Sequence, residues 1–149
     1  MPFPKIPSTP RAAVMLVFAA FGAIVGVFSG AIPQIVRQTG TDSQTFGLAL
    51  TLLTIANVST MAVGGALARR FSHRVILLAS LPLLWLTLLF ILTGTSEIML
   101  FVFLCAHGLM IGVTDVIMNA EGSAVEHDLK RPVFTAFHGC VSASVAVFA

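Results

Sequence analysis

Long apolar runs separated by short polar turns set the pattern of this chain. Ala12 to Ile32 is almost free of polar side chains, and comparable runs cover Gln44 to Ala68, Val75 to Thr93, and Ile98 to about Gly122. A last run begins at Val133. Crossing about 30 Å of hydrocarbon takes roughly 20 predominantly apolar residues in a helix. The pattern predicts an all-α integral membrane protein with spanning helices at 12–36, 44–68, 75–93 and 97–122, and most of a fifth at 133–149. Four prolines among the first ten residues predict a short irregular tail over 1–11. Polar turns are expected at Arg37 to Ser43, at the basic RRFSHR stretch Arg69 to Arg74, at Gly94 to Glu97, and over the charged residues Glu126 to Arg131. Pro82 lies inside the third run, where a membrane helix tolerates it as a kink.

Two readings compete at the first run. Ser29-Gly30-Ala31 has the small-x-small form of a signal-peptide cleavage site, but a signal peptide's apolar region is about 7–15 residues. This run is longer and continues to Pro33, so a retained spanning helix is expected. The fifth run has about 25 Å of helix from Val133, slightly short of a crossing. That shortfall leads to the expectation that the chain is the front part of a longer protein.

Small residues form a second pattern. Gly22, Gly26 and Gly30 recur at every fourth position, a spacing that lets another helix backbone approach closely. Gly22-Ala-Ile-Val-Gly26-Val27 in the first helix matches Gly108-Leu-Met-Ile-Gly112-Val113 in the fourth, 86 residues on. Helices one and four cross in opposite directions, as an inverted three-helix repeat requires.

Composition narrows the class. Of 149 residues 57% are hydrophobic and 9% charged, and the mean hydropathy is +1.00. A soluble domain has about a quarter of its residues charged, so a lipid bilayer is the expected surrounding. A net charge of +2, scattered over short loops, does not point to nucleic acid. With the N-terminus in the cytoplasm, Lys5, Arg11, Arg69, Arg70, Arg74, Lys130 and Arg131 all fall inside and only Arg37 outside, which fits the positive-inside rule. Cys105 and Cys140 lie in apolar runs and read as packing residues. No nucleophile constellation, phosphate loop, dinucleotide fingerprint or metal-ligand set stands out, so neither an enzyme nor a cofactor is expected.

Candidate chemistry gathers between His107 and Gly139. Gly108, Gly112, Asp115 and Asn119 share one helical stripe. An ionisable side chain inside a bilayer is costly and is kept mainly where it faces protein or a wet path. Asp115 with Asn119 is therefore read either as a substrate or proton contact or as part of a cytoplasmic gate, since counting from Ile98 puts it close to that edge. His107, nearer the middle, is either a substrate contact or a packed interhelical hydrogen bond, and Asn57 in the second helix has the same two readings. His138, early in the fifth helix, is placed to pair with Asp115. Glu121, with Glu126, Asp128, Lys130 and Arg131, reads as part of a solvated charged loop.

These residues resemble the N-terminal half of a major facilitator superfamily transporter. The superfamily's motif between helices two and three, G-x-L-a-D-r-x-G-r-r, is similar to Gly65-Ala-Leu67-Ala-Arg69-Arg70-Phe-Ser72-His-Arg74. It departs at Arg69, where the family has Asp, and at Ser72, where it has Gly. The helix-four motif R-x-x-q-G aligns with Leu104-Cys-Ala-His107-Gly108, without the arginine. Asp115-Val-Ile-Met118-Asn119, Arg131-Pro132 and Phe137-His138-Gly139 resemble a bacterial, sugar-permease-like branch. The resemblance implies a multi-pass protein of the bacterial inner membrane that moves a small solute by alternating access. A sugar or drug-like substrate, proton coupling and a missing C-terminal half are what it further implies. The alternative is a non-transporting membrane sensor or assembly subunit.

Overall fold

In a computed structural model that describes residues 9–149, the chain is five helices joined by tight turns. They are α1 (Thr9–Thr39), α2 (Ser43–Ala68), α3 (His73–Thr93), α4 (Glu97–Leu129) and α5 (Phe134–Phe148). The first four are long and apolar enough to cross a membrane. The tail expected at 1–11 falls outside the described residues up to position 8, and its last part is already the first turn of α1. No strand occurs among the described residues.

The turns explain where the helices begin and end. Gly40, in the left-handed region at φ 68°, turns the chain out of α1. Asp42 caps α2 by accepting from the Thr45 N–H at 2.7 Å, and that bond holds its carboxyl below the usual carboxylate range. Ser72 and Ser96 cap α3 and α4 in the same way through the Val75 and Met99 N–H groups. Lys130, left-handed at φ 51°, ends α4.

Helix four runs to Leu129, seven residues past the expected Gly122 and through most of the stretch expected to be a charged turn. Charged side chains are no obstacle to a helix once it leaves the hydrocarbon. Glu126 stabilises the extension by reaching across to α5, where Oε2 accepts from the Val133 and Phe134 N–H groups at 2.8 and 2.6 Å. α5 begins without a capping side chain of its own, so the preceding helix supplies the cap.

α2 packs most extensively on α4, and α1 on α5, while α3 lies along α4 and touches α1. Both major contacts are built from glycine. A Cβ on Gly22 would meet the Val141 carbonyl and the Ser144 side chain, and one on Gly26 would meet the Val145 carbonyl and Phe148. On the other pair, a Cβ on Gly108 would strike the Leu53 carbonyl and Ala56, and one on Gly112 the Asn57 carbonyl and Thr60. The correspondence is position by position. A shift of 86 residues carries Gly22 and Gly26 of α1 onto Gly108 and Gly112 of α4. A shift of 88 carries Leu53, Ala56, Asn57 and Thr60 of α2 onto Val141, Ser144, Val145 and Phe148 of α5. The weak sequence repeat is thus a repeat of packing, and it exchanges the α1–α5 contact with the α2–α4 contact.

The core has two parts. Phe18, Ile24, Leu84, Leu88, Ile117 and Phe137 belong to the larger one, near α3 and the start of α5. Ile35, Phe46, Ala49, Ile91, Leu100 and Leu104 form the other, at the opposite end. There the Gln38 amide nitrogen lies within hydrogen-bond distance of the Ile91, Leu92 and Gly94 carbonyls, tying α1 to the last turn of α3. Large apolar side chains such as Leu48, Ile55, Leu78 and Val102 point outward, as lipid-facing positions do.

Candidate functional site

α4 presents different chemistry on different sides. The side toward α2 carries Gly108 and Gly112, whose lack of side chains brings the α2 backbone onto the helix. Asn57 of α2 lies against Gly112, and its Oδ1 is buried with no partner. Thr60, one turn on, donates across the contact to the Leu109 carbonyl at 3.1 Å.

Asp115 and Asn119 are both partly buried on α4. The Asn119 amide donates to the Asp115 carboxylate at 3.0 Å and to its carbonyl at 2.8 Å. The acid is therefore held by its own helix, with lone pairs to spare. His138 lies within electrostatic reach of this carboxylate, but no hydrogen bond or ion pair joins the two. Its ring packs edge-on against Phe18 and Phe134, with centroids 5.4 and 5.0 Å away.

His107 turns away from that stripe. It is 1% exposed, and its Nδ1 lies 2.8 Å from the Thr87 hydroxyl on α3. Thr87 also donates to the Leu84 carbonyl at 2.9 Å, which assigns the Nδ1 proton to the imidazole as donor. Phe28 of α1 lies against the ring at 5.9 Å. The contact is an interhelical hydrogen bond between α3 and α4.

The Thr87–His107 bond belongs to a larger device that the sequence reading missed. His73, Ser80 and Thr87 recur every seventh residue on α3, as do His107, Thr114 and Glu121 on the antiparallel α4. His73 Nδ1 and Glu121 Oε2 lie 2.8 Å apart at one end, and Thr87 and His107 bond at the other. At the level between them the Ser80 and Thr114 hydroxyls are buried without partners. Glu121, expected in a solvated loop, instead lies on α4 within hydrogen-bond distance of His73 on α3. Its signal was the seven-residue recurrence, legible only once the helix pairing is known.

That register also fixes depth. Asp115 comes level with Ala79, one turn from Leu83 at the middle of α3, or about 6 Å along the axis. It lies nearer the middle of the bundle than a count from Ile98 suggests.

The loop motif is put to structural use. Arg69 is the C-cap of α2, with its N–H on the Ala66 and Leu67 carbonyls and its guanidinium on the Gly65 carbonyl at 3.2 Å. The Arg70 and Phe71 N–H groups both bond the Leu67 carbonyl. Ser72 caps α3. Arg74 is exposed in the first turn of α3. Among the described residues no three of His, Cys, Asp and Glu cluster as metal ligands would.

An uncharacterized MFS-type transporter of Yersinia pestis is 24% identical to this chain over 127 residues, covering 85% of the chain and 33% of that protein. The chain thus spans about a third of the relative's length. No family model and no solved structure matches it. With four helices able to span a membrane, the chain is a multi-pass, all-α membrane protein whose likeness to an MFS-type transporter holds at the level of the superfamily.

Proposed function

We propose that this chain forms the N-terminal bundle of a secondary transporter that moves a small solute by alternating access. The observation that carries the reading is the exchange of the α1–α5 contact for the α2–α4 contact under the internal repeat. Inverted repeats place binding sites near the midplane, where the repeats meet. Asp115 lies one turn from the middle of α3, with carboxylate lone pairs free and Asn119 beside it. Asp115 is the proton-coupling residue in this reading, and Asn119 and Asn57 are polar contacts for the solute.

The polar groups on this side are neutral apart from Asp115 and His138, which favours an uncharged polar solute such as a sugar over a strongly charged one; drug-like amphiphiles come second. The loops that carry Arg11, Arg69, Arg70, Arg74, Lys130 and Arg131 face the cytoplasm of a bacterial inner membrane.

The test is uptake by the natural polypeptide in proteoliposomes, with a panel of labelled neutral sugars and an imposed proton gradient. Gradient-driven uptake of one of them is expected. Asp115→Asn should abolish accumulation while sparing solute exchange, because exchange needs no net proton movement. Accumulation by Asp115→Asn at the wild-type level would remove Asp115 from coupling. Failure of the whole panel would favour the sensor or assembly reading.

A further inference from the structure

A cleft of about 510 Å³ opens between α1, α3 and α4. That volume falls within the range of about 300–1,000 Å³ typical of small-molecule sites. Its walls are apolar, with Val14 and Val17 from α1, Leu78 from α3 and Met118 from α4. Two charged side chains line it, Arg74 and Glu121. Glu121 is already engaged by His73 at 2.8 Å. Arg74 is exposed, and no carboxylate among the described residues pairs with it. The result is a hydrocarbon-lined slot that carries an exposed guanidinium outside any ion pair among the described residues, beside a carboxylate already bound to His73.

The two halves of this description select one ligand chemistry. A free anion gains nothing from the apolar walls, and a neutral hydrocarbon gains nothing from the guanidinium. An amphiphile with a phosphate headgroup uses both, because a guanidinium fork matches phosphate oxygens. The same end of the bundle carries Arg11, Arg69, Arg70, Lys130 and Arg131, which attract an anionic leaflet. We infer that the cleft seats an anionic phospholipid, with one acyl chain between α1 and α3 and its phosphate on Arg74. The inference rests on the membrane reading and on this end facing an anionic leaflet; it does not require transport.

The natural polypeptide in phosphatidylcholine nanodiscs, with stepped fractions of acyl-labelled phosphatidylglycerol, gives the measurement. Saturable contact between the labelled chain and the protein is expected, with preference for phosphatidylglycerol over labelled phosphatidylcholine. Arg74→Gln should weaken that preference about fivefold, the factor that corresponds to one basic residue at an anionic surface. Arg70→Gln, a cation of the same loop outside the cleft, should leave it nearly unchanged. Leu78→Trp alters a side chain already 66% exposed, so folding is spared, and it should block chain contact by filling the slot. Equal losses in Arg74→Gln and Arg70→Gln would overturn the inference in favour of diffuse surface charge. Displacement of the lipid by inorganic phosphate would reduce the site to a headgroup contact and also overturn it. Unaltered chain contact in Leu78→Trp would place the lipid elsewhere. Failure of the protein to enter nanodiscs would count against the membrane reading itself.

Discussion

Polar side chains buried between membrane helices meet two different fates here. The His107 imidazole has a partner in Thr87, whereas the Ser80 and Thr114 hydroxyls, half-way along the same α3–α4 contact, have none. Leaving a buried donor unpaired costs more than never having had it. Thr87→Val should therefore destabilise the protein by about 1 kcal/mol, since hydrogen bonds inside membrane bundles are modest. Ser80→Ala combined with Thr114→Val should be neutral or stabilising. Unfolding of the purified protein in mixed micelles measures both. A marked loss in the double variant would mean that the two hydroxyls hold a shared buried water. The heptad recurrence behind these rungs was present in the sequence, yet nothing in one strand of residues says which helix lies alongside which.

Among the elements, α5 depends most on a neighbour. The N–H groups of its N-cap, Val133, and its first residue, Phe134, are satisfied by Glu126 from α4, so Glu126→Ala should fray the start of α5 and cost about 1 kcal/mol, as loss of a helix cap does. Faster amide exchange over residues 133–137, with the α2 exchange unchanged, would register the effect. Unaltered exchange there would show that packing of Val133 and Phe137 alone holds the turn. The same residue marks where element reading from sequence stops working. Apolar runs announced the spans because hydrocarbon demands them. The end of α4 was hidden because a charged helix beyond the hydrocarbon looks like a charged loop. Glu121 and Glu126 were both assigned to solvent for that reason, and both turned out to hold helices together.

At the scale of the whole molecule, the repeat makes two interfaces equivalent in form. Gly22 is to α5 what Gly108 is to α2, and each lies against a backbone carbonyl that cannot move aside. Gly22→Leu and Gly108→Leu should each cost about 1–3 kcal/mol through overpacking. Their effects should add in the double variant, because the two contacts share no partner. Thermal stability of the three variants in one detergent decides the point, and strong non-additivity would mean that the interfaces communicate. The glycine ridges were legible in the sequence as close-packing faces. Their partners were not, since Leu53 and Val141 present backbone to the contact and backbone leaves no mark on composition.

Backbone lying on backbone has a mechanical side. Interlocked side chains act as teeth, and sliding past them means lifting each out of its socket. A carbonyl ridge on a glycine groove has fewer teeth, here Ala56 and Thr60 in the α2–α4 seam and Ser144 and Phe148 in the α1–α5 seam. The α3–α4 seam, pinned by polar rungs at both ends, behaves as a bolted joint. If helices shear against one another, the expected place is along the glycine contacts, with α3 and α4 moving together.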